Sequence, residues 1–165
     1  MKNTIIIILV CLVLAGIYGF KDQILKTIST NTNTGNSLVL GNTINLSGQG
    51  LTKAPAYIFD KTSTTELNLS NNSIDGALQS QIGQLKNLKV LDLSNNKFTG
   101  VPAEIGQLAD LEILNLSNNL LTGLPNELGN LSKLKLLDLT GNNYTKIDLD
   151  NIRKNLPATT VIKVD

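Results

Sequence analysis

The sequence contains no histidine and no tryptophan, and its single cysteine is Cys11. One thiol leaves no pair for an internal disulfide, and without histidine no Cys/His set is available to hold zinc. The most frequent general acid–base side chain is missing as well. Charge of either sign is scarce in excess: 14 Lys/Arg stand against 13 Asp/Glu. With Lys2, Lys21, Lys26 and Asp22 set aside, 11 basic and 12 acidic residues remain from Gly41 onward, a balance of −1. No basic footprint for nucleic acid survives that count. These absences argue against an enzyme. No metal, cofactor, small-molecule substrate or nucleic-acid partner is expected.

One stretch lacks charge altogether. Residues 4–20, TIIIILVCLVLAGIYGF, follow Lys2 without a Lys, Arg, Asp or Glu. As a helix they would cover roughly 25 Å, the short end of what crosses the hydrocarbon core of a bilayer. A secretory signal would use the basic start, the apolar core and the small residues near Val13-Leu14-Ala15. An uncleaved anchor would instead use the whole run, with Tyr18 at the interface and Lys21 as a stop. The anchor is the reading adopted for residues 1–20, since the apolar run continues past Ala15 through Ile17 and Phe20. A lipoprotein would need a small residue before Cys11, where Val10 stands. Residues 21–40 include the tract TISTNTNTGNS, too poor in apolar surface to fold, and read as a flexible Thr/Asn/Ser-rich stalk.

From residue 41 to the end a phrase recurs. Ile44-Asn45-Leu46-Ser47, Leu67-Asn68-Leu69-Ser70, Leu91-Asp92-Leu93-Ser94, Leu114-Asn115-Leu116-Ser117 and Leu137-Asp138-Leu139-Thr140 follow at intervals of 23, 24, 23 and 23 residues. A period of this length means stacked supersecondary units, each too small to bury its own apolar face. L-x-L has period two, so both leucines face the core of a short strand and the residue between them points out. Asn72, Asn96, Asn119 and Asn142 stand where the chain leaves each strand, and Gln49 replaces them in the first unit. Their amides are read as a structural ladder that pairs backbone groups otherwise buried without partners.

Extended, the pattern is Leu88-x-x-Leu91-x-Leu93-x-x-Asn96-x-Phe98, Leu111-x-x-Leu114-x-Leu116-x-x-Asn119-x-Leu121 and Leu134-x-x-Leu137-x-Leu139-x-x-Asn142-x-Tyr144. The unit from Thr64 to Ile74 differs only at its first position. This resembles the leucine-rich repeat family, whose signature is L-x-x-L-x-L-x-x-N-x-L. Val101-Pro102-x-x-Ile105-Gly106-x-Leu108 and Leu124-Pro125-x-x-Leu128-Gly129-x-Leu131 look like the plant-type and Ras-group repeats of that family. The resemblance implies an α/β fold: a short solenoid with parallel strands on a concave face and short helical or 3₁₀ turns on a convex one. The glycines at 83, 106 and 129 are read as residues the turn requires. Ile147 to Leu156 reads as an amphipathic capping helix stopped by Pro157, and Thr159 to Val164 as a closing strand.

Motifs that suggest chemistry dissolve into the repeat. Six N-x-S/T sequons occur, at Asn45, Asn68, Asn71, Asn115, Asn130 and Asn143, and three lie inside the recurring I/L-N-L-S phrase itself. Asp148 and Asp150 lack the surrounding loop of a calcium site and suit the start of a helix. What remains is the outward face of the strands. One column reads Thr43, Glu66, Val90, Ile113 and Leu136; the next Asn45, Asn68, Asp92, Asn115 and Asp138; a third Ser47, Ser70, Ser94, Ser117 and Thr140. In the family resembled, partners commonly bind on the strand side. The candidate contact for a protein or peptide is therefore Val90, Ile113 and Leu136 beside Asp92, Asn115 and Asp138. The same aliphatic residues also suit strand positions on their own account.

Two functions fit. One is a non-catalytic protein-binding module, membrane-anchored through residues 4–20 with its repeats extracytoplasmic, or secreted if the leader is cleaved. The other is a structural cell-surface or adhesion spacer with no concave-face ligand. The many Ile, Asn and Lys residues would suit an AT-rich bacterial genome.

Overall fold

The computed structural model describes residues 42–165; the apolar segment, Cys11 and the stalk lie outside the described residues. Within them the chain winds in coils. Each coil places one short strand in a six-stranded, all-parallel sheet of order β1-β2-β4-β6-β7-β8. The strands are β1 (Asn42–Asn45), β2 (Thr64–Asn68), β4 (Val90–Asp92), β6 (Ile113–Asn115), β7 (Leu136–Asp138) and β8 (Val161–Lys163). Pairing is in register, Leu67 beside Leu91, Leu114 and Leu137. These leucines therefore stack along the solenoid. On the opposite, convex side lie 3₁₀ turns at Ala56–Ile58, Ser80–Gln84, Ala103–Gln107 and Asn126–Asn130, then an α-helix, α1 (Lys146–Arg153). Among the described residues no helix is long and apolar enough to cross a membrane.

The core is a single column of leucine and isoleucine between the two sides. Leu91, Leu93, Leu114, Leu116, Leu137 and Leu139 are fully buried from the sheet side, and Ile82, Ile105 and Leu128 from the turns. Phe98 fills the middle in the position that holds Ile74, Leu121 and Tyr144 in other units. No coil encloses this apolar surface alone, so every unit is stable only as the neighbour of another.

Four asparagines bond to backbone groups of two coils each. Asn96 donates from Nδ2 to the carbonyls of Leu69, Leu93 and Ser94 at 2.9, 3.1 and 3.2 Å, while its Oδ1 accepts from the Ile74 N–H at 3.0 Å. Asn119 repeats the set on Leu93, Leu116, Ser117 and Phe98. Asn72 and Asn142 do likewise at the two ends of the ladder. Each amide thus bridges its own coil to the preceding one. Gln49 does not stand in for it: that side chain is exposed, and the residue joins the ladder by donating its backbone N–H to Asn72.

The recurring glycines have a different cause from the one expected. Gly83, Gly106 and Gly129 are not in left-handed conformations; those belong to Gly48, Gly50, Gly76 and Gly141, with Asn71, Asn95 and Asn118. A Cβ on Gly106 would lie 2.2 Å from the Glu127 carbonyl oxygen, and one on Gly83 or Gly129 would come within 2.9 Å of the next coil. Glycine recurs because the next coil packs directly on this position on the convex side, through the Glu127 backbone at Gly106 and through the Cβ atoms of Glu104 and Asn155 at Gly83 and Gly129. A second feature that sequence reading did not supply is a small parallel pair, β3 (Asp75–Ala77) with β5 (Lys97–Gly100). Its register breaks between Gly76 and Ala77, in the one interval of 24 residues.

Both ends depart from the pattern. At the start, Ile44, Leu46 and Leu51 are only partly covered. Thr64 is buried where later units hold leucine, and its hydroxyl has no hydrogen-bond partner among the described residues. At the far end α1 begins at Thr145, whose Oγ1 accepts from the Asp148 N–H at 3.2 Å. Leu149, Ile152 and Leu156 cover the last coil while Ile147 points to solvent. Asp165 completes the closure. In earlier coils the N–H of Gly48, Asn71, Asn95 and Asn118 donates to a carbonyl of the next unit. For Gly141 the Asp165 carboxylate takes that place, accepting at 2.9 and 3.0 Å.

Two stability outcomes follow from these contacts. Asn96→Ala or Asn119→Ala strands the buried Ile74 or Phe98 N–H and should cost about 1–3 kcal/mol, while Leu93→Ala should cost about 2–5 kcal/mol through the cavity it opens. Urea midpoints of the purified chains check both, and unchanged midpoints would show the ladder to be dispensable. Gly106→Ala should cost about 1–3 kcal/mol as overpacking against the Glu127 backbone. Gly100→Ala, whose added Cβ meets nothing within 4 Å, is the control expected to unfold with the wild type.

Candidate functional site

The strand register assembles the outward columns. Thr43, Glu66, Val90, Ile113, Leu136 and Val161 lie side by side across six strands. At the usual spacing of about 4.8 Å, the apolar part from Val90 to Val161 spans about 14 Å. Val90, Ile113 and Leu136 are half-buried by their lateral neighbours, and Val161 is 54% exposed. The stripe therefore has one member more than the repeat pattern supplied. Val161 was legible as part of a closing strand, yet only pairing with Leu136 places it in the column.

The second column, Asn45, Asn68, Asp92, Asn115, Asp138 and Lys163, is also in register. Its asparagines and aspartates are partly committed to the fold. Each Oδ1 accepts from the backbone N–H two residues on, at 3.1 Å for Asn45, 2.9 Å for Asn68 and Asp92, 3.1 Å for Asn115 and 3.2 Å for Asp138. These are Asx turns, which lead the chain out of the strand. What the turn leaves over in each group is its second terminal atom: an amide on Asn115, a carboxylate oxygen on Asp92, and on Asp138 an oxygen that faces the Lys163 ammonium at 3.6 Å. The third column is not outward in the middle of the solenoid. Ser70, Ser94 and Ser117 are buried, because the turn that begins at the Asx residue folds the following hydroxyl inward.

Charge on this side is organised between neighbouring coils. Lys135 pairs with Glu112 at 2.5 Å, Lys133 with Asp110 at 2.6 Å, and Lys163 with Asp138 at 3.6 Å. Exposed pairs of this kind add little stability. They neutralise the C-terminal half of the surface. The Lys133 ammonium, hydrogen-bonded to Asp110, holds that carboxyl below its usual range, and the reciprocal effect raises Lys133. Burial pushes the Tyr144 phenol up, with Asp165 adding to it and Arg153 opposing. Among the described residues no group of acidic or thiol side chains is placed to hold a metal ion. Asp148 lies in the first turn of α1, where its N–H donates to the capping Thr145 hydroxyl.

A family model described as leucine rich repeat matches residues 62–121 and 86–144. No curated protein matches the chain. Among solved structures, a leucine-rich repeat protein of Leptospira interrogans is 43% identical over 68% of this chain and 28% of its own, with a TM-score of 0.63. The chain thus spans little more than a quarter of that protein. The ectodomain of the receptor kinase SOBIR1 from Arabidopsis thaliana is 30% identical over 73% of this chain and 71% of its own, with a TM-score of 0.58. A plant peptide hormone receptor, RGFR1 in complex with RGF2, is 35% identical over 73% of this chain and 21% of its own, with a TM-score of 0.61. With its signature residues forming the ladder and core just described, the chain belongs to the leucine-rich repeat family.

Proposed function

We propose that this protein is a non-catalytic binding module that holds a protein or peptide ligand on the outward face of its parallel sheet. The observation that carries the reading is the in-register stripe of Val90, Ile113, Leu136 and Val161, apolar and bordered by carboxylates, amides and lysines. Aliphatic side chains left partly uncovered in a row, with a polar rim, have the composition of a modest protein contact. The peptide-hormone receptor and the other receptor ectodomains among similar structures support the same reading. Asp92, Asn115 and Asp138 serve it with the one terminal atom each that the Asx turn does not use. Residues 4–20 hold the protein at a membrane, with the repeats on the outer side.

Ile113→Asp tests the surface. Its side chain lies outside the core, so the fold should persist, while a carboxylate buried without a partner in an interface is unfavourable by several kcal/mol. Capture of a ligand from extracts of the source cells should fall at least tenfold, with thermal unfolding unchanged. Gln107→Asp on the convex side should alter neither. Equal capture by Ile113→Asp and wild type would sink the binding surface and favour a spacer. For the anchor, the full chain should fractionate with membranes and resist carbonate extraction, whereas a chain starting at Thr27 should remain in solution. A mature N-terminus at Gly16 by mass spectrometry would instead mean a cleaved leader.

A further inference from the structure

The apolar stripe is closed differently at its two ends. Toward the C-terminus the acidic groups that border it are matched: Glu112 by Lys135 and Asp138 by Lys163. Toward the N-terminus they are not. Glu66 occupies the stripe's own column beside Val90, and Asp92 follows Val90 by two residues on the same strand face. Among the described residues neither carboxylate lies within ion-pair distance of a lysine or arginine. The Glu66 Oε2 is 3.4 Å from the Thr43 hydroxyl, and Asp92 spends one oxygen on the Ser94 N–H. Lys89, exposed one position before Val90, acts on Asp110.

The charge at Asp92 is not demanded by the turn. Asn45, Asn68 and Asn115 make the same bond to the backbone two residues on with a neutral carboxamide. Likewise Glu66 stands in a column whose next four members are apolar, and the hydrogen bond it accepts from the Thr43 hydroxyl would be met equally by a neutral carboxamide. Two half-buried anions flank one end of the stripe, diagonal neighbours about 8 Å apart at Cβ by the spacing and rise of a parallel sheet. An ammonium or guanidinium group fits between them. Repulsion between the two is relieved when it does, and the low surrounding polarity strengthens that contact over one in open water.

We infer that the sheet face reads a directional ligand: a peptide with apolar side chains along Val161, Leu136, Ile113 and Val90 and a lysine or arginine side chain seated between Glu66 and Asp92. This rests on the binding surface proposed above and specifies its partner. The length is set by the sheet. From Val161 to Glu66 the column crosses four strand spacings, about 19 Å, which an extended peptide covers in about six residues. Apolar residues at alternate positions with a basic one at the end that meets Glu66 and Asp92 is the pattern that fits.

The test is a selection from a displayed heptapeptide library on the immobilised full chain, run in parallel on wild type, the Glu66→Gln/Asp92→Asn double variant and Ile113→Asp. Both neutral replacements keep the hydrogen-bonding shape, and asparagine already serves the turn in other coils. Wild type should enrich alternating apolar peptides that carry Lys or Arg at one end. The double variant should retain the apolar pattern and lose the basic preference. For one selected peptide, changing its basic residue to Gln should weaken binding to wild type about tenfold and binding to the double variant less than twofold. Raising the salt should narrow that difference. Enrichment of apolar peptides by wild type with no basic preference would overturn the directional ligand while leaving the apolar surface in place. If wild type enriched nothing that Ile113→Asp did not, the surface itself, and this inference with it, would fall.

Discussion

One carboxamide per coil holds this solenoid together. Where the chain leaves each strand it turns inward over the leucine column, and three carbonyls and an N–H lose water at one point. Asn96 meets all four. No other side chain of that size carries both a donor pair and an acceptor in a plane, so the position is asparagine four times running. Because two of the four groups belong to the preceding coil, the same residue that closes a turn also fixes the stacking distance. Burial of leucine supplies the larger stabilisation, but leucine alone does not set the register.

The stacking distance has a counterpart on the convex side. If amides and strand ladders bring the coils to strand spacing on one side, the turns on the other must come comparably close. Gly106 beside the Glu127 carbonyl is the tightest point, and Gly83 and Gly129 repeat it. The sequence reader sees a glycine near a turn and assigns it to backbone conformation. Its cause lies 21 residues away in the next coil, between Gly106 and Glu127, and only stacking makes the two neighbours.

That distinction explains what was legible and what was not. The strands, the ladder, the 3₁₀ side, the capping helix and the closing strand all follow from residues whose role is fixed within one unit and repeated. The small β3–β5 pair, the burial of Ser70, Ser94 and Ser117, and the closure of Gly141 by Asp165 depend on relations between units or on a non-repeated residue. The candidate surface divides the same way. Val90, Ile113 and Leu136 were found because they share a phase in the repeat. Val161 and Lys163 were not, because β8 carries no phrase, and the ion pair of Lys163 with Asp138 appears only once the strand is laid beside β7.

A repeat also makes its exceptions readable. Where five coils need an Oδ1 acceptor and three meet the need with asparagine, aspartate adds a charge that the turn does not use. At Asp138 the charge finds Lys163, a partner donated by the closing strand. At Asp92 none is found among the described residues, and Glu66, also unpaired, faces the same end of the stripe. A charge kept on a half-buried surface without a local partner is unfavourable to the isolated protein, by an amount that solvent screening reduces without removing. A cation bound there, as proposed, would relieve that cost, so the energy of the interaction would come partly from the free protein's own unmatched charge. In the complex proposed, the apolar stripe would contribute affinity without direction. The acidic end would contribute direction, since only one orientation of an amphipathic peptide brings its cation to Glu66 and Asp92 while its apolar residues lie on Ile113 and Leu136.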